Sequence, residues 1–268
     1  MKIASFFNVK GGVGKTTLTI LTSMALSQEG KKILIIDADT QANLTQFLYK
    51  VNHNDKTIFS ALTENISADK LIIKSPNKTY PNVDLIPADL SLFVLNEYLA
   101  LQTGREKTVY RWFKDNFSIL KDYDYIFVDL SPSYDLTARN FMVLSDSVIT
   151  PIKYQDIASI RGCQLFYLKL NQDLKALEMD PEFKRVVVIN SYTSRKLSSG
   201  NDFIEKLHEY RDIEKDLLNT KLSESTIVIK SISEGLSVED YCKATKKKHK
   251  IVDEFKSFIQ ELKEREVL

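Results

Sequence analysis

The sequence predicts an α/β fold: a mostly parallel, twisted sheet with helices on both faces. Short continuous apolar runs alternate with longer stretches of helical period. The first run, residues 3–9, leads into a glycine-rich loop, and the runs at 32–37 and 125–129 end in carboxylates. Apolar residues in unbroken runs, rather than alternating with polar ones, belong to strands covered on both sides, the usual state of a parallel sheet.

Residues 3–9 (IASFFNV) read as a buried strand closed by the loop. A helix is expected at 16–28, with Leu18, Leu21, Ala25 and Leu26 on one face and Gly30 as its stop. Further strands are expected at 32–37 (KILIID), 83–86, 125–129 (YIFVD), 147–150 and 185–189 (RVVVI). Helical patterns fill 92–101, 136–144, 157–177, 202–210 and 251–263. No repeat or low-complexity linker interrupts them, so residues 1–268 are expected to form a single domain.

Composition narrows the function classes. Hydrophobic residues make up 43% and charged residues 27%, enough to bury a full core without disulfides or metals. The net charge of +1 sets up no global field for a polyanion, so any nucleic-acid contact has to come from a local patch. Cys163 and Cys242, far apart and without metal-ligand spacing, read as reduced thiols. Lys2 runs directly into a strand, unlike a signal peptide, and no apolar run approaches the ~18 residues of a membrane span. The chain therefore reads as cytoplasmic, with no membrane partner.

The chemistry gathers where parallel sheets bind ligands, at the carboxyl ends of the strands. Residues 10–17 (KGGVGKTT) follow a strand and open a helix, the context a phosphate-binding P-loop requires. Gly11, Gly12 and Gly14 let successive N–H groups turn inward around Val13 toward phosphate oxygens, and the helix start near Thr16 and Thr17 adds its positive end. Lys15 is placed to reach the β- and γ-phosphates and the Thr16 hydroxyl to meet Mg²⁺. This makes the fold class a P-loop NTPase. Asp129 ends an apolar strand as a Walker B carboxylate does. Asp37 and Asp39 lie on one side of their strand if it persists, where one of them is able to orient an attacking water. Lys10 is not needed by an ordinary P-loop. It is either a second cation for the phosphates of a neighbouring subunit or a solvated strand-end lysine.

These segments carry a family resemblance. KGGVGKTT (10–17), LIIDADTQANLT (34–45) and YDYIFVDLSPS (123–133) resemble the three nucleotide motifs of the ParA/Soj partition ATPases, in the deviant Walker A group with MinD and the nitrogenase iron protein. Residues 150–152 with Gly162 resemble that family's switch region, 186–190 its strand ending in an adenine-contacting Asn, and 235–241 (GLSVEDY) a late GxSVxxY element. The resemblance implies that ATP or ADP is held by residues 11–17 and Asn190, and Mg²⁺ by Thr16, Asp37 and Asp129. It implies that Lys10, Lys15 and Asp39 are catalytic: Lys10 reaches the partner's nucleotide and Asp39 positions the hydrolytic water. The implied working form is a homodimer with ATP sandwiched inside. That dimer associates with the nucleoid, binds double-stranded DNA without sequence preference, and is released when a ParB-type centromere-binding protein stimulates hydrolysis.

The chain also departs from the pattern. Thr40 stands where D-x-D-P-Q has proline, and Ser131 stands where the Walker B carboxylate is usually followed by two prolines. The adenine loop near 222–225 lacks proline, and Ile227 replaces a basic residue that many members use on DNA. With the loop beginning at Lys10, no N-terminal helix-turn-helix domain is expected.

Lys243, Lys246, Lys247, Lys248 and Lys250 crowd one short segment, a candidate phosphate-backbone contact whose bland counterpart is a solvated helix face. Arg195, Lys196 and Arg211 are weaker candidates. Ile251, Phe255, Phe258, Ile259 and Leu262 make an apolar stripe, but interspersed acids argue for packing on the domain body rather than on a membrane. A MinD-like positioning role remains the alternative function.

Overall fold

The computed structural model describes residues 1–52, 55–177, 182–193 and 198–268, with the backbone alone at 198–202. Among the described residues its frame is one sheet of seven strands: β1 (Lys2–Phe6), β2 (Ile33–Ala38), β3 (Val83–Ile86), β4 (Tyr125–Leu130), β5 (Ser147–Lys153), β6 (Lys184–Tyr192) and β7 (Leu217–Ser223). They lie in the order β3-β2-β4-β1-β5-β6-β7, and every neighbouring pair is parallel.

Alternation along the strands divides the core between the two faces. Ala4, Phe6, Ile33, Ile35 and Phe127 pack with Leu18 and Leu21 of the helix Lys15–Gln28 and with Phe258 and Leu262 of the helix Lys250–Glu264. Ile3, Leu34, Ile36, Ile126 and Val128 pack on the other face with Phe141 of Leu136–Leu144 and Phe166 of Ile157–Ala176. The predicted stripe of the last helix is buried throughout, so that helix covers the sheet.

Several boundaries differ from expectation, each for a local reason. β1 stops at Phe6 rather than at residue 9, because the Asn8 side chain takes over hydrogen bonding there. β5 and β6 run further than their apolar centres. β7 has no counterpart among the expected strands. Its sequence, LLNTKLS, is polar at the centre, and it lies at the sheet edge with β6 on one side and, among the described residues, no strand on the other. The N–H groups of Asn219 and Thr220 donate instead to the Glu261 carboxylate (2.7 and 2.9 Å), and that of Ser223 to Glu254 (2.8 Å). Side chains of the last helix thus finish the unpaired edge.

The strand order brings the carboxyl ends of β2, β4 and β1 side by side. Asp37 is in register with Asp129, and Asp129 with Phe6. Strands that are remote in sequence therefore deliver the loop and the carboxylates to one rim of the sheet.

Candidate phosphate-binding site

The chain leaves β1, turns over the buried Asn8 and enters the loop. Gly12 and Gly14 have φ of 72° and 103°, and Val13 between them is buried as the plug of the turn. Gly14 is required twice over: its φ is left-handed, and a Cβ there would collide with the Asn190 side-chain amide. Asn190 Nδ2 donates to the Val13 carbonyl at 2.8 Å, so the end of β6 braces the loop from behind. The helix Lys15–Gln28 then starts with no side-chain cap and no acidic residue in its first turn. Its positive end and leading N–H groups are left to an anion from outside the chain.

Lys15 sits in the first helical turn, 6% exposed. Burial lowers its pKa, against the pull of the Asp129 and Asp39 carboxylates. Asp129 is fully buried at the end of β4. Its Oδ2 accepts the Thr16 hydroxyl at 2.6 Å, and its Oδ1 has no partner among the described residues. Burial foremost, and then the charge of Asp37, raise its pKa well above the usual carboxylate range. Asp37 is fully buried beside it and pushed up to about 6 by burial, although three hydrogen bonds pull the other way. The Thr45 N–H and hydroxyl donate to Oδ2 (2.8 and 2.7 Å) and the Asp39 N–H to Oδ1 (3.1 Å).

Asp39 falls just past the end of β2 at Ala38, so strand alternation does not place it. Its Oδ1 accepts the Gln41 N–H at 3.0 Å and the Ser131 hydroxyl at 2.9 Å. Lys10 is exposed, held at its backbone by Asn8 Oδ1 at 2.9 Å. The structure thus brings Lys15, Thr16, Asp37, Asp39 and Asp129 to one rim, with Lys10 at its outer lip.

Three buried carboxyl groups share this rim with one buried lysine, and two of them, Asp129 and Asp39, act on its charge. Among the described residues no three His, Cys, Asp or Glu side chains form a ready metal cage. A magnesium ion does not need one, because it keeps waters and phosphate oxygens and takes only one or two protein groups. The orphaned Oδ1 of Asp129 beside the Thr16 hydroxyl fits that donor set.

Sequence reasoning passed over Asn8, Thr45 and Ser131. Asn8 was absorbed into an apolar run, Thr45 carried no role inside its motif, and Ser131 counted only as a missing proline. The polar type at each position was the sole available signal.

The lysine tract divides. Lys243 pairs with Glu239 at 3.0 Å and Lys250 with Glu254 at 3.1 Å, whereas Lys246, Lys247 and Lys248 are exposed between the last two helices. Arg211 is exposed at a helix start, and Arg195 and Lys196 lie outside the described residues. Ile227 is buried in Thr226–Ser233, a packing residue here. A cavity of about 760 Å³ between the first and last helices holds none of the site residues. No helix among the described residues is long and apolar enough to cross a membrane.

Residues 1–183 match a family model described as an AAA domain. The sporulation initiation inhibitor protein Soj of Bacillus subtilis is 30% identical, with 84% of this chain and 87% of Soj aligned. A Borrelia burgdorferi B31 structure described as a plasmid partition protein, bound to AMPPNP, superposes with a TM-score of 0.71 at 26% identity, over 95% of this chain and 98% of that one. Apo McdA from Cyanothece has the same fold, with a TM-score of 0.81 at 21% identity over 98% and 99% of the two chains.

Proposed function

Because this chain belongs to the ParA/Soj family of partition ATPases, we propose that it hydrolyses ATP to ADP and phosphate as a timing switch for moving a DNA cargo. The observation that carries the proposal is the rim itself: an uncapped helix start behind a glycine loop, with buried Lys15 set against Asp129 and Asp39. That arrangement suits a polyphosphate whose charge changes during reaction.

The loop N–H groups and Lys15 bind the phosphates. Thr16 and Asp129 would hold Mg²⁺, with Asp37 behind them keeping Thr45 and the Asp39 backbone in place. The cation supplies neutralisation of the phosphate charge. Asp39 orients the water for in-line attack on the γ-phosphate. Lys10, exposed at the lip, reaches the nucleotide of a second copy, so the site is completed when two subunits meet across ATP. Asn190, whose side chain is bonded to the loop at Val13, contacts the nucleotide's base in this reading.

The ATP-bound homodimer binds double-stranded DNA without sequence preference through Lys246, Lys247 and Lys248, which places it on the nucleoid in the cytoplasm. Lys243 and Lys250 contribute less because each is paired with a glutamate. A ParB-type centromere-binding protein stimulates hydrolysis and releases the dimer. The test is Asp39→Ala. ATP binding and ATP-dependent dimerisation persist and turnover is lost; normal turnover by that variant overturns the assignment.

A further inference from the structure

Asp39 and Thr40 leave the end of β2, while Ser131 leaves the end of β4. One hydroxyl joins them. Ser131 Oγ donates to Asp39 Oδ1 at 2.9 Å and accepts the Thr40 N–H at 3.0 Å. A backbone N–H only donates, so the Ser131 hydroxyl accepts from Thr40 and its own proton is left for Asp39 Oδ1. The Gln41 N–H also lands on Oδ1, at 3.0 Å. Both donors therefore load the same oxygen, and no hydrogen bond among the described residues reaches Oδ2.

We infer that Ser131 is the positioning residue for Asp39. It clamps one carboxylate oxygen so that the other stays open and aimed for a water. This rests on the proposed role of Asp39 in hydrolysis. An aspartate just beyond a strand end has no sheet neighbour to hold it, and its side-chain rotation would otherwise cost orientation of the water. The clamp also ties together the rim ends of β2 and β4, where Asp37 and Asp129 stand in register.

Thr40 and Ser131 both stand where the resembled carboxylate motifs carry proline. A proline at 40 has no N–H to donate and a proline at 131 has no hydroxyl, so the two departures meet in a single hydrogen bond. They replace ring rigidity with a hydrogen-bonded bridge, and they do so as a pair.

The 268-residue chain tests this with Ser131→Ala and Ser131→Thr. ATP hydrolysis is measured under steady state, and amide exchange at Thr40 without nucleotide. Ser131→Ala is expected to lower kcat by roughly tenfold with KM within about twofold, the pattern of impaired orientation with binding intact. Ser131→Thr, which keeps the hydroxyl, retains most of the rate. The Thr40 amide exchanges faster in Ser131→Ala, while the Thr45 amide, held by Asp37, does not change. Wild-type kcat in Ser131→Ala, a defect confined to KM, or failure of Ser131→Thr to restore the rate overturns the proposal. Unchanged Thr40 exchange overturns the hydrogen bond itself. Normal turnover by Asp39→Ala overturns the hydrolytic role of Asp39 instead, a separate result from either of these.

Discussion

Asn8 Oδ1 accepts the backbone N–H of Lys10 at 2.9 Å, while Asn8 Nδ2 donates to the carbonyls of Pro151 (2.9 Å) and Ser159 (3.2 Å). A single fully buried amide thus fixes where the Lys10 segment leaves the sheet, and fastens it to the end of β5 and the start of the helix Ile157–Ala176. Gly162 of that helix closes over the junction: a Cβ there would lie 2.8 Å from Asn8 Oδ1 and 3.5 Å from Lys10 Cβ.

Asn8→Ala removes all three hydrogen bonds, two of them buried, which costs about 1–3 kcal/mol of stability. The functional consequence falls on Lys10. ATP-dependent dimerisation, followed by size-exclusion chromatography in an Asp39→Ala background, is expected to weaken, with ATP affinity of the monomer kept. Gly162→Ala acts in the same direction by displacing Asn8. Dimerisation equal to the parent in both variants would show that the Lys10 backbone does not need this bracket.

Lys15→Ala removes the buried cation beside Asp39 and Asp129 and leaves their charge uncompensated. Nucleotide affinity, titrated with a fluorescent ATP analogue, is expected to fall by at least about 100-fold, the order seen when a buried charge is deprived of its partner. Lys15→Arg should not rescue it, because a planar guanidinium does not fit a site built for a compact ammonium.

DNA affinity is expected to require ATP and to fall with salt. A Lys246/Lys247/Lys248 triple alanine variant should lower the slope of log K against log salt by about 0.9 for each phosphate it no longer neutralises. Replacing Lys243 and Lys250, both already paired with glutamates, should change it less. An unaltered slope in the triple variant removes these lysines from the DNA surface.

The edge of the sheet carries a pH dependence. Burial pushes the Glu261 pKa up, but the N–H groups of Asn219 and Thr220 outweigh it, and the carboxyl ends below its usual value. A carboxylate with a depressed native pKa stabilises the fold above its unfolded pKa, and that contribution is lost as pH falls through the native value. Acid below about pH 4 should therefore loosen β7 from the last helix, given an unfolded glutamate pKa near ~4.3. Amide exchange at Asn219 and Thr220 measures this directly. In Glu261→Gln the acid step at those amides should disappear.

Much of the fold was legible because its signals are local. The strands 83–86 and 125–129 and the helix 136–144 stand within a residue or so of where the sequence places them, since continuous apolar runs and helical spacing are properties of adjacent residues. β7 and the short helices Asn43–Leu48 and Thr226–Ser233 were not legible in that way. For two of them the partners that settle the backbone lie elsewhere: Asp37 for the first turn of Asn43–Leu48, and Glu254 and Glu261 for the edge of β7. At the site, the loop, Lys15, Thr16 and the three aspartates were legible as motif residues. Asn8, Thr45 and Ser131, which hold them, were not.

The amino-acid sequence by itself determined the phosphate loop. Gly12 and Gly14 set the turn, Lys15 and Thr16 follow in the first helical turn, and no acid or cap competes for the helix start. All of that is decided within a few residues, by backbone sterics and by what side chains are absent. Only the tertiary structure decided which oxygen of Asp39 is held and which is open. Ser131 lies 92 residues away and arrives there because β2 and β4 are neighbours in the sheet. A hydrogen bond needs its two atoms within about 3 Å, and no pattern along one chain specifies that distance between residues so far apart.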